Sequence, residues 1–138
     1  MIALLLLAAG VVIVVVLGWN LVRRFGNDRI GALMEARRAT SRFVGRGELI
    51  DGNRHLDVAL AVTQSTLFYE NADMQASVDL QWVREIEYDS VLATGAAPPA
   101  GKVLRLRLDS RVLEFVIAAD VMPRWHLLLP PRRAGKAA

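Results

Sequence analysis

Three carboxylates, Glu85, Glu87 and Asp89, stand at every second position of the stretch REIEYDS, so in an extended strand they share one face. Acids spaced in this way could act as a general acid and base or hold a cation. The wet side of an ordinary strand has the same pattern. Asp73 and Asp79 lie close by in sequence, and together these acids could form an acidic face. Such a face either takes a basic partner segment or folds back on the chain's own arginine-rich stalk or tail. Glu85, Glu87 and Asp89 are therefore the candidate partner face. The histidines, His55 and His126, fall on different segments without a cysteine or a spaced partner, which is not the spacing of a zinc site. There is no nucleophile elbow, no phosphate-cradling glycine loop and no H-E-x-x-H. The expectation is a non-catalytic protein with no cofactor and no metal.

The elements that carry these residues follow from periodicity. From about residue 43 to about residue 118 the apolar pattern is two-fold. In LDVALAVT, Leu56, Val58, Leu60 and Val62 point one way, and Asp57, Ala59, Ala61 and Thr63 the other. In KVLRLRLD, Leu104, Leu106 and Leu108 face inward while Arg105, Arg107 and Asp109 face water. Leu113, Phe115 and Ile117 continue the inward set, and the short Asp109-Ser110-Arg111 link makes a hairpin. Turns fall at Asp51-Gly52-Asn53, Asn71-Ala72-Asp73 and the loop 95–102. Seven strands result, at 43–50, 56–63, 66–70, 75–80, 83–91, 102–109 and 112–118. A final helix, VMPRWHLLL, is expected with Asp120 as its cap, Pro123 in its first turn and Pro130-Pro131 at its end.

Ahead of this domain, residues 1–22 contain no charged side chain. As a helix they reach roughly 33 Å, enough to cross a bilayer. A cleaved secretory signal would need a basic leader, a shorter apolar core and a small-residue cleavage site, none of which is present. The expectation is a single transmembrane helix at 1–22, with Trp19 as its interface anchor. Seven arginines (23, 24, 29, 37, 38, 42, 46) against Asp28 and Glu35 give residues 23–46 a net charge of +5. Basic residues flanking a span stay inside, which places the N-terminus outside and the domain in the cytoplasm at the inner (plasma) membrane. Residues 23–42 read as a basic juxtamembrane helix or linker, with Ile30, Leu33, Met34 and Phe43 recurring near the helical period. It is either a segment lying on anionic lipid, through Arg23, Arg24, Arg37, Arg38 and Arg42, or a solvated stalk.

The whole chain of 138 residues carries a formal charge of +3, but the charge is segregated. Residues 47–121 hold six basic and twelve acidic side chains, while 122–138 hold four basic and none acidic. An acidic domain repels phosphates, so nucleic acid is not an expected partner. The basic residues of 131–138 read as a disordered tail. The absence of cysteine agrees with a reducing compartment.

The succession LAVTQSTLFYEN, VDLQWVREIEYD, LRLRLDSRVLEFVIAAD and RWHLLL resembles the pleckstrin-homology-like superfold, especially its GRAM and bacterial PH-like members, over residues 43–130. The resemblance implies a seven-stranded antiparallel β-barrel of two packed sheets, capped by a C-terminal helix. Leu80 and Ile86 would be core positions beside a bend at Gln81-Trp82, and Trp125 would plug the barrel. It implies a binding platform and no enzymatic activity. Some relatives bind phosphoinositides through basic residues after the first strand. Here ELIDGNRH offsets Arg54 and His55 with Glu48, Asp51 and Asp57, so specific phosphoinositide binding is not expected. The combined expectation is a bitopic adaptor or accessory subunit docking a membrane-protein complex or peptide, its bilayer contact made by residues 1–22. The alternative is a sensor of anionic lipid surfaces.

Overall fold

The structure, a computed structural model, describes residues 13–17 and 29–133. Helix α1 covers residues 29–38. Seven strands follow: β1 (Phe43–Asp51), β2 (Arg54–Val62), β3 (Thr66–Glu70), β4 (Gln75–Asp79), β5 (Glu85–Asp89), β6 (Lys102–Arg107) and β7 (Val112–Ile117), then helix α2 (Met122–Leu128). All pair antiparallel in one sheet of order β4-β3-β2-β1-β7-β6-β5. This succession of strands and the capping helix are consistent with a PH-like fold. The expected closed barrel of two packed sheets is corrected to one curled, open sheet, because β4 and β5 end it without pairing.

Strand β1 joins the two halves. It pairs with β2 along its whole length but with β7 only through Gly47, Glu48, Leu49 and Ile50. Gly47 sits at this junction, where a Cβ would lie 2.5 Å from a methyl of Leu60. Inward-facing residues from both halves, among them Leu60, Leu67, Leu104, Phe115 and Ile117, form the core. Trp125 of α2 enters its open end fully buried and meets Phe43 edge to face at 5.1 Å. Pro123 lies in the first turn of α2, but Asp120 does not cap it. The N-cap is Val121, without a side-chain bond, and Asp120 falls in a 3-10 turn, Ala119–Val121. The bend at Gln81-Trp82 is a second 3-10 turn, Leu80–Trp82, whose cap is Asp79 accepting from the Gln81 N–H at 3.1 Å.

The membrane architecture is also corrected. Among the described residues no helix is long and apolar enough to cross a membrane. Of the expected span at 1–22 only residues 13–17 are described, and they are helical and exposed. The rest of that stretch, with Trp19, Arg23 and Arg24, lies outside the described residues. The bitopic role, the bilayer as partner, the N-outside topology and the inner-membrane location all lose the helix they rested on. Residues 29–38 are docked on the domain itself. Arg37 reaches across to Glu70 on β3, and its guanidinium lies 3.9 Å from the Phe68 ring. Phe43, expected at the end of that helix, begins β1.

The loop before β6 is held by a backbone contact. Gly101 has φ +86, and a Cβ there would come within 2.3 Å of the Ile117 carbonyl oxygen. Gly101→Ala should therefore cost about 1–3 kcal/mol, the usual cost of forcing a side chain into this region. The check is the urea midpoint of the variant against that of the parent chain.

Candidate functional site

The carboxylate row is placed by β5, but it does not face open water alone. Register sets Glu87 opposite Arg105 and Arg105 opposite Glu114, so three strands contribute to one transverse row on the outer face. Glu85 stands opposite Arg107. Directly opposed, oppositely charged pairs are the natural contact on such a face. Arg105 Nη1 donates to Glu87 at 3.1 Å and to Asp89 at 3.2 Å, and its Nη2 donates to Glu114 at 3.1 Å and to the Val91 carbonyl at 2.9 Å. Arg107 pairs with Glu85 at 3.2 Å. The candidate acids thus meet cations from the neighbouring strand rather than from the stalk or tail.

Sequence period assigned Arg105 to water, yet it is 4% exposed. The cause is the segment after β5. Leu92 is buried, the Ala93 N–H donates to Glu114 at 2.9 Å, and the Val91 carbonyl takes the guanidinium. Burial opposes the charge on Arg105, but the hydrogen bonds it donates to the three carboxylates raise its pKa. Asp89 is held below its ordinary value by Arg105 first and then by the N–H groups of Ser90 and Val91. The pair Val91-Leu92, ahead of a loop of small and polar residues, was the available signal that this loop covers something.

The basic candidates are also engaged. Arg37 binds Glu70, which is only 5% exposed. The surrounding outer face of Val44, Ala59 and Ala61 is buried where α1 lies. Arg38 pairs with Glu35 within the helix at 2.9 Å, and Arg42 is exposed, with its backbone N–H bonded to Val62. At the first hairpin, Arg54 pairs with Asp51 at 2.8 Å and His55 with Glu48. His126 stacks 4.1 Å from the Tyr88 ring, far along the chain from His55. Among the described residues no three acids, histidines or cysteines are grouped to hold a metal.

Two kinds of surface among the described residues offer unpaired backbone or exposed apolar side chains to another molecule. The first is the pair of sheet edges. Strand β4 has no further strand beyond it among the described residues, and β5 carries only an isolated bridge, in which Ile86 and Arg132 exchange backbone hydrogen bonds of 2.7 and 2.9 Å. That bridge extends past residue 130 into the segment expected to be a disordered tail. The second is the outward side of α2, where Leu127 is 83% exposed beside Met122, Pro123 and His126 around an open depression. Between these surfaces, Tyr88 donates its hydroxyl to the Leu129 carbonyl at 2.7 Å, and burial pushes its phenol pKa up.

No family model, no curated protein and no solved structure matches the chain.

Arg105→Met keeps the volume but leaves Glu114 and Asp89 without their cation and Glu87 with only the more distant Arg107, at 3.9 Å. The expected loss is about 3 kcal/mol, the low end for breaking a buried pair, because Glu87 is 47% exposed and partly solvated. Denaturant titration measures it. Asp89 also links stability to pH. Its folded pKa lies below its unfolded one, so its contribution is complete above about pH 4 and fades as pH falls through the depressed value. The gap in unfolding midpoint between the parent chain and Asp89→Asn should therefore narrow from pH 5 towards pH 2.

Proposed function

We propose that the domain is a non-catalytic interaction module that contacts a protein partner through the edges of its open sheet. The observation that carries this reading is the topology. A seven-stranded sheet whose terminal strands β4 and β5 do not pair leaves backbone donors and acceptors that an added strand can satisfy. The reading is supported by the state of the other chemical groups. Glu85, Glu87 and Asp89 are each bound to an arginine, and His55 and His126 lie on separate elements.

Strand β4 is the simpler edge. Its exposed residues Gln75, Ser77 and Asp79 alternate with the core residue Val78 and the half-buried Ala76. An added strand would meet its main chain without disturbing the core. A photo-crosslinking amino acid at Ser77, in the full chain within the cells that make it, should give an adduct of one defined mass. The same group at Asn53, on the tip of the first hairpin, should give none. Adducts absent from Ser77, or equal at both positions, would sink the proposal for this edge.

A further inference from the structure

Within that reading, the chain's own residues identify what the second edge accepts. Ile86 donates its N–H to the Arg132 carbonyl at 2.7 Å and accepts the Arg132 N–H at 2.9 Å, the two-way exchange of an antiparallel pair. The Arg132 guanidinium continues the contact. It donates to the Leu80 carbonyl at 3.3 Å and to the Val83 carbonyl, at the corner where the chain turns from β4 to β5. We propose that the outer edge of β5 is a strand-acceptor site for an extended, arginine-bearing segment of a partner protein, and that residues 131–133 occupy it until that partner arrives.

The reason the pairing does not run from Arg132 back towards α2 lies in the sequence. In the antiparallel register that sets Arg132 against Ile86, residue 130 falls opposite Tyr88. Residue 130 is proline, which has no N–H to give to the Tyr88 carbonyl. The strap cannot slide to a better register, because Leu129 is buried and its carbonyl is held by the Tyr88 hydroxyl. The hinge is therefore Pro130-Pro131, and releasing the strap leaves Leu129 and Trp125 in the core.

A separate segment without proline opposite Tyr88 makes every contact the strap makes and adds one. Arginine suits the central position because one nitrogen, Nη2, carries two N–H groups and donates to both carbonyls, on a long side chain that stays charged. Charge agrees with this choice. Residues 47–121 carry twelve acids against six bases, so a basic segment is attracted to the domain as a whole. The strap competes because it is tethered and so present at high effective concentration. The site's apparent affinity falls by the fraction of chains in which it is closed.

The test uses the full chain and Arg132→Pro, which removes both the strap's N–H and its guanidinium. A chain ending at Pro131 serves as the second opened form, and dichroism and tryptophan fluorescence confirm the fold of each. The probe is a dye-labelled peptide of residues 128–136 carrying Pro130→Thr and Pro131→Val, read by anisotropy. Binding to the opened chains should be at least ten-fold tighter than to the parent. The same peptide with Arg132→Glu should bind at least ten-fold more weakly than the probe. Equal affinity for closed and opened chains, no binding to a folded opened chain, or indifference to Arg132→Glu would each overturn the proposal. So would a parent chain that sediments as a dimer and becomes a monomer in Arg132→Pro, since the edge would then belong to a second copy. Adducts at Ser77 with no peptide binding would remove the β5 site while leaving the interaction reading standing.

Discussion

Strands β4 and β5 share no hydrogen bonds, and this gap is the constraint around which the remaining parts are arranged. A curled sheet that fails to close exposes its apolar inner face at one end and two lines of unpaired backbone along its sides. Trp125 answers the first difficulty. It is fully buried among the inner residues and packs edge-on against Phe43, the first residue of β1. Its indole N–H has no acceptor among the described residues, at a cost of about 1–3 kcal/mol for an unmade bond. Burying so large a ring contributes at least as much in the other direction, so tryptophan is tolerated where its donor is not satisfied.

The outer faces are treated differently on the two halves of the sheet. Over β1, β2 and β3 the small and apolar residues Val44, Ala59 and Ala61 are buried on the outer face, and Arg37 of α1 reaches the buried acid beside them, Glu70. Over β5, β6 and β7 no helix is found among the described residues. A loop closes over a cation, and three carboxylates and a carbonyl share the guanidinium of Arg105. A buried charge with all its donors directed is tolerable, whereas the same charge with one partner missing is not.

Much of this was legible from alternation alone. Leu56, Val58, Leu60 and Val62 point inward as their spacing demands, and all seven strands begin and end within a few residues of where the turns place them. Two-fold period reports which residues share a face. It does not report whether that face is wet. Arg105 is on the outer face as expected and is nonetheless buried, because loop 90–97, not the strand, decides its exposure. Arg37 and Arg132 were hidden for a related reason. Each makes its contact across more than thirty residues of sequence, a distance at which no local pattern carries a signal. An arginine that will turn back onto the domain looks the same, in one dimension, as one that solvates a stalk. The long apolar run at the N-terminus has the opposite character. Its composition is emphatic, but composition sets only what a segment could span, and the described residues contain no helix that does so.

The two sheet edges are guarded by means that differ in how easily they are undone. Strand β4 is five residues long and presents Gln75, Ser77 and Asp79 outward, and shortness and polarity are permanent features of a sequence. The edge of β5 is guarded by residues 131–133, which begin at the second of two prolines and are anchored through one backbone pair and one side chain. Nothing in the core depends on those three residues, because Leu129 and the Tyr88 hydroxyl fix the end of α2 before the hinge. A protective contact that can leave without loosening the core has a low local opening free energy, and segments of that kind are the ones that exchange with binding partners. The proline opposite Tyr88 limits how well the strap can pair. That limit leaves the edge covered in the free chain and still open to a better-matched strand.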